Sequence, residues 1–202
     1  MFERFILKAT NANHARNRNE RILKANEMHP VVNAIKKNKL KPKNLLEIGC
    51  STGFVLKKIN ELTNAKCYGL DASKKAIQDG KLLFKEIKLY HGILERSKLQ
   101  NDKFEVIVLG FFLFLIPPKN ILNLFNIIDK MLKDGGKLII YDFYNRGYKK
   151  KPYKHNKNLS TFRWDFKKTF LSLPQYKLIY KKINNYKETN DKTEVSILQK
   201  KI

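Results

Sequence analysis

The stretch Leu45-Leu46-Glu47-Ile48-Gly49-Cys50-Ser51-Thr52-Gly53-Phe54 constrains the fold more than any other part of the chain. An apolar run ends beside an acid, a turn with glycines at 49 and 53 follows, and a helix-like segment starts at Phe54. Glycine permits positive φ and close approach of the main chain, so a ligand can lie against the backbone at the start of that helix. Eighteen residues past Gly53 a second apolar run closes on Gly69-Leu70-Asp71. In a doubly wound sheet both strand ends open on one crevice, which puts Asp71 where a carboxylate can accept hydrogen bonds from both hydroxyls of a ribose. The spacing is not G-x-G-x-x-G, and no Gly-Lys-Ser/Thr follows as in a P-loop, so it does not support dinucleotide or ATP chemistry.

Short apolar runs and amphipathic segments alternate from Leu45 onward, the texture of a parallel sheet covered by helices on both faces. Strands are predicted at Leu45–Ile48, Cys67–Leu70, Lys88–Tyr90, Val106–Leu109 and Leu138–Tyr141, with two more at Leu178–Ile183 and Glu194–Leu198. Helices are predicted near Phe54–Leu62, Ser73–Leu83 and Lys119–Leu132. The last presents Ile121, Leu124, Phe125, Ile128, Met131 and Leu132 on one broad face, and Gly135-Gly136 is expected to end it as a C-cap. The result is an α/β, Rossmann-like, seven-stranded and mostly parallel sheet.

The loop and its distant acid resemble those of the class I S-adenosylmethionine (SAM)-dependent methyltransferases, in particular the type 11 group of small-molecule and quinone methyltransferases. Their first motif is matched by Glu47, Gly49 and Gly53, with Cys50 and Ser51 completing the loop. Their ribose-binding acid is matched by Asp71, followed by Ala72. The loop after their third strand corresponds to Gly92-Ile93-Leu94, and that after the fourth to Gly110-Phe111. The resemblance covers residues 40 to 145 and implies SAM as cofactor, with an antiparallel strand among the last two. Two positions depart from the family pattern. Ser51 stands where many relatives have a middle glycine, and Ile93 where many have an Asp on the adenine amino group, which leaves that contact to main chain around Leu94. More loosely, Gly110-Phe-Phe-Leu-Phe-Leu, Tyr141-Asp-Phe and Phe162-Arg-Trp-Asp-Phe look like bacterial methyltransferases of surface-saccharide gene sets, which tilts the acceptor toward a sugar-derived molecule.

Residues 1–40 are polar and basic, with Val31, Val32 and Ile35 at helical spacing, and read as an N-terminal helical cap of two or three short helices. Residues 41–202 read as the methyltransferase domain. The longest apolar run, Val106 to Ile116, stops at Pro117 and Pro118, short of the roughly 18 residues a membrane span requires. No secretory signal is visible at the N-terminus, so the chain is read as soluble and cytoplasmic. Cys50 and Cys67 have neither redox-pair spacing nor the four ligands of a zinc site, and are expected as reduced core thiols with no metal.

A net charge of +24 suggests a nucleic-acid partner, since clustered cations release counterions from phosphates. Yet 35 of the 42 basic residues are Lys and 7 are Arg, alongside 20 Asn. That joint excess is expected of an A/T-rich genome, and phosphate or base readout favours Arg. A solvated surface is therefore favoured over RNA binding.

Methyl transfer from a sulfonium depends mainly on alignment and exclusion of water, although an acceptor hydroxyl also benefits from a base. The candidates are His155, Asp142 and His91. Asp142 ends the fifth strand on the cofactor side, while His155 sits in the Lys- and Tyr-rich connection 144–161, expected as a lid over the acceptor. Phe111, Phe112 and Phe114 are candidates to line the acceptor pocket as well as the core. Arg18-Asn19-Glu20-Arg21 is a candidate contact for a carboxylate. The favoured function is methyl transfer to a small-molecule acceptor. RNA or protein methylation on the basic surface, a non-catalytic SAM-fold binding protein and a nucleotide-sugar enzyme stand as alternatives, and the oligomeric state stays open.

Overall fold

The computed structural model describes residues 29–153, 156–186 and 190–201. Its main sheet is built from β1 (Asn44–Ile48), β2 (Lys66–Asp71), β3 (Lys88–His91), β4 (Phe104–Gly110), β5 (Leu132–Tyr144), β8 (Tyr176–Asn185) and β9 (Lys192–Lys200). The order is β3-β2-β1-β4-β5-β9-β8. The first five strands run parallel, and β9 is antiparallel to both of its neighbours. The expected seven-stranded, mostly parallel sheet with an antiparallel strand among its last two is thus present.

Helices cover both faces because the central strands are apolar on both. Leu46, Ile48, Ile107, Leu109, Leu138 and Ile140 face one layer, which includes α4 (Pro118–Met131) and α5 (Phe166–Leu171). Leu45, Val106, Val108, Ile139 and Ile197 face the other, made by α1 (Pro30–Lys37), α2 (Phe54–Thr63) and α3 (Lys74–Leu83). α1 begins with Pro30 at its first turn, carries Lys36 and Lys37 in its last, and buries Val31, Val32, Ala34 and Ile35. The part of the N-terminal region that is described therefore belongs to the core, and the rest of the expected cap lies outside the described residues. Ser73 caps α3 by accepting the Ala76 N–H.

α4 buries Ile121, Leu124, Phe125, Ile128 and Met131, the face read from the sequence, but Gly135-Gly136 does not cap it. The helix stops at Met131 and Leu132 already pairs with Phe104 on β4, whereas the next register pair is Val106 with Lys137. The residues between form a bulge in which Gly135 has φ of 72°. A Cβ at Gly136 would stand 2.6 Å from the Lys133 carbonyl, so the glycines serve this tight irregularity within β5.

The connection after β5 is also more ordered than its composition suggests. β6 (Lys149–Tyr153) and β7 (Asn156–Arg163) form a separate antiparallel hairpin. Leu159, Thr161, Phe162 and Arg163 are buried in it, so the segment contributes to the core as well as covering it.

Candidate functional site

β1 and β4 are neighbours at the place where strand order reverses, and in open α/β sheets ligands bind in the crevice at such a switch point. The turn leaving β1 lines that crevice. Gly49 and Gly53 have φ of 78° and 85°, conformations that are cheap only for glycine. Ser51 is left-handed too, at 53°, in the region that ordinarily favours glycine. The Gly49 and Cys50 N–H groups donate to the Leu70 carbonyl at 2.8 and 3.2 Å, and Gly53 N–H donates to the Cys50 carbonyl, which folds the turn onto the end of β2. Gly53 then forms the N-cap of α2.

Asp71 ends β2 directly beside this turn. Its Oδ2 accepts the Ser51 N–H and its Oδ1 the Ser73 N–H, each at 2.8 Å. A carboxylate is the kind of acceptor that ribose hydroxyls bind, and these two bonds fix its place beside the turn. Ala72 is buried next to it, and His91, at the end of β3, places Nε2 3.2 Å from the Ala72 carbonyl oxygen. Gly92 N–H donates to the Asp71 carbonyl, and the space where its side chain would be is open. Ile93 is half-buried and Leu94 buried, opening a short 3-10 turn over Leu94–Arg96.

On the β4 side, Glu47 is buried with Oε1 3.2 Å from the point a Gly110 Cβ would occupy. Phe111 is left-handed, at φ 48°, and its N–H donates to the Tyr141 carbonyl at 2.7 Å. Its ring packs edge-on to Tyr141, Phe114 and Tyr186. Phe112 lies over the glycine turn, with Cδ2 3.0 Å from a Cβ built at Gly49. Glu47, Gly49, Ser51, Gly53, Asp71, Gly92, Gly110 and Phe111 are thus gathered around the ends of β1, β2, β3 and β4. Cys50 is different in that its Sγ lies 2.6 Å from a Cβ built at Gly69, so its side chain packs inward. Burial, then the nearby Asp71 and Glu47 charges, push its thiol pKa far up, and burial pushes Cys67 up to about 12. Both thiols are free and buried, as expected.

Asp142 is buried, and its two oxygens accept the Phe143 N–H at 2.7 Å and the Phe114 N–H at 3.1 Å. Burial lifts its pKa to about 7 against the opposing pull of the N–H groups of Phe143, Phe114, Leu113 and Phe112. It therefore holds the turn that carries the Phe111–Phe114 aromatics. His155 and Arg18-Asn19-Glu20-Arg21 lie outside the described residues.

Around Asp142 is a charged network that the sequence reading did not find. Glu194 is its register partner on β9. Lys167, buried, bridges Asp165 at 2.7 Å and Glu194 at 2.9 Å. Burial raises the Glu194 pKa in spite of Lys167. Arg163 reaches Asp191 at 3.2 Å, and its guanidinium lies 4.5 Å from the centre of the Phe143 ring. The available signal was the charged run Arg163-Trp164-Asp165 with Lys167 after it, but Asp191 stands 28 residues beyond Arg163 and Glu194 27 beyond Lys167.

Residues 45–136 match a family model described as a methyltransferase domain. No curated protein matches the chain. Among solved structures it is similar to the 1,6-didemethyltoxoflavin-N1-methyltransferase of Burkholderia thailandensis, with bound 1,6-didemethyltoxoflavin and S-adenosylhomocysteine (SAH). The TM-score is 0.73 at 11% identity, over 86% of this chain and 78% of that one. A TehB-like SAM-dependent methyltransferase from Corynebacterium glutamicum gives 0.67 at 17% identity, over 95% and 100%. The magnesium protoporphyrin IX methyltransferase of Synechocystis, with bound SAM, gives 0.63 at 13%, over 84% and 76%. The chain has the class I SAM-dependent methyltransferase fold.

Proposed function

We propose that the protein transfers a methyl group from SAM to a small-molecule acceptor. The observation that carries this reading is the Asp71 carboxylate, fixed by the Ser51 and Ser73 N–H groups beside a glycine turn at the β1/β4 switch point. A carboxylate at the end of the second strand of such a sheet suits a ribose, and the open backbone at Gly92 leaves room beside it for a flat group. Glu47, Gly49, Ser51 and Gly53 would hold the amino-acid end of the cofactor, Asp71 and Ala72 the ribose, and Ile93 and Leu94 the adenine. When bound, SAM supplies an electrophilic methyl on a sulfonium.

The chain's own part is alignment and exclusion of water. Phe111, Phe112 and Phe114 wall the crevice on the acceptor side, and Asp142 positions them by accepting N–H bonds from their turn. His155 is assigned the proton of an acceptor hydroxyl, and a sugar-derived acceptor fits that need. Replacing His155 with Ala should leave SAH affinity intact and lower turnover by about 10²-fold.

The direct test is calorimetry with SAM, SAH and NAD, followed by transfer of labelled methyl to pooled small molecules and to RNA. SAM and SAH are expected to bind and raise the melting temperature, and NAD to do neither. Absence of SAM binding at millimolar ligand would end the methyltransferase reading. Incorporation into RNA alone would replace the small-molecule acceptor.

A further inference from the structure

A cavity of about 300 Å³ opens outside the cofactor crevice, between the start of α4, the turn joining β5 to β6, and the segment running from β7 into α5. Its lining includes Pro118, Arg146, Tyr148, Trp164, Asp165 and Lys168. The volume is at the lower end of small-molecule sites. The two aromatic walls differ in freedom. Trp164 is backed by the buried Phe166, ring centres 4.2 Å apart, whereas Tyr148 is 60% exposed and faces it at 6.1 Å with a tilt of 38°. Tilted aromatic faces open to solvent offer stacking surface to a ring.

The charge on the cavity is one-sided. Arg146 and Lys168 are exposed at its rim, and neither makes an ion pair among the described residues. The one carboxylate in the lining, Asp165, is buried and already accepts from Lys167 at 2.7 Å. An anion entering meets a guanidinium and an ammonium, and a guanidinium in particular binds carboxylate or phosphate by paired hydrogen bonds. The wall also connects to the reaction side of the fold, since Trp164 borders a second, small cavity together with Asp142, Phe143 and Glu194.

We propose that this cavity binds a ring carrying a phosphate or carboxylate, the ring against Trp164 and Tyr148 and the anion between Arg146 and Lys168. The inference rests on the methyl-transfer reading only in taking the bound group to be part of the acceptor. Binding itself stands apart from it. The overall excess of positive charge favours encounter with such an anion.

Trp164 is the single tryptophan of the chain, so tryptophan fluorescence reports on this cavity. Phenyl phosphate, glucose 1-phosphate and inorganic phosphate would each be titrated into the full chain, with calorimetry in parallel and SAH titrated into the same preparation. Saturable quenching by at least one ring phosphate is expected, with inorganic phosphate about tenfold weaker or worse. The responding ring shows whether the site takes an aromatic or a sugar. In the Arg146→Ala/Lys168→Ala variant that affinity should fall about tenfold or more, with melting temperature and SAH affinity unchanged. Failure of both ring phosphates to saturate, equal binding of inorganic phosphate, or undiminished binding in the double variant would overturn the inference. SAH binding alongside any of these results confines the failure to the cavity. Ring-phosphate binding without SAH binding would sink methyl transfer and leave the cavity as a ligand site.

Discussion

The carboxylate of Asp71 accepts the main-chain N–H of Ser51 at 2.8 Å, so the acid at the end of β2 fixes the turn that leaves β1. Asp71→Ala removes the acceptor of both the Ser51 and the Ser73 N–H, and each buried donor left without a partner costs about 1–3 kcal/mol. The variant should unfold at lower urea and lose SAH affinity together. Asp71→Asn keeps one acceptor oxygen in place, so it should recover more stability than affinity. Urea denaturation and SAH calorimetry on the two variants check this, and an Asp71→Ala protein as stable as the native one would contradict the bracing role.

Asp142 gives the protein a pH signature. Its folded-state pKa of about 7 lies above the ordinary carboxylate value, with burial the main cause. Between about pH 4 and 7 the native state keeps a proton that the unfolded chain has lost. Stability therefore falls as pH rises through that window, by up to about 1.4 kcal/mol per unit from this group, and levels off above it. Asp142→Asn should flatten the slope. Denaturation of both proteins across that range should show the variant gaining on the native chain up to about pH 7 and no further. A constant difference would place the titration elsewhere.

The turn and the acid of the candidate site were legible because their determinants are local. Gly49, Gly53 and Asp71 declare themselves through backbone freedom and a strand-ending acid, whatever lies far away. Ser51 shows the limit of such reading, since only the structure reveals that a serine holds the left-handed position. The hairpin from Lys149 to Arg163 was hidden for another reason. Its Lys, Tyr and Asn content reads as solvated chain, and its anchor is Arg163 on Asp191, beyond the reach of any local pattern. Gly135-Gly136 misled because a glycine pair after an apolar helix face suits a C-cap and a strand bulge equally well, and the pairing of Leu132 with Phe104 decides between them.

Lys167 provides a test of the network around β9. It is the cation shared by Asp165 and Glu194, and all three side chains are less than a tenth exposed. Lys167→Met leaves two buried carboxylates without their counter-charge, and breaking a buried pair costs about 3–5 kcal/mol. Neutralising the partners as well, in Lys167→Met/Asp165→Asn/Glu194→Gln, should restore most of that loss, because the penalty comes from uncompensated charge. Urea denaturation of the two proteins measures the difference. Equal stability would mean that the lysine acts through its packing.

Gly80 links α3 to the glycine turn through a contact that sequence alone gives no reason to suspect. An alanine inside a helix is ordinarily better than glycine by about 1 kcal/mol, so Gly80→Ala should stabilise the protein if nothing faced it. A Cβ at this position would stand 2.4 Å from the Thr52 carbonyl oxygen and 2.5 Å from Leu89 Cδ1. The leucine can rotate away. Thr52 cannot, being main chain, buried, and flanked by Ser51 and Gly53, both of which hold positive φ. Either α3 must lift from the sheet or the turn must move, and the turn is the part that would touch the cofactor. Gly80→Ala is therefore expected to lower the melting temperature against the helix-propensity trend, and to weaken SAH by about tenfold although Gly80 lies outside the cradle. A more stable variant with native SAH affinity would show that the turn yields freely at Thr52, and that its bonds to Leu70 and Asp71 set its geometry without α3.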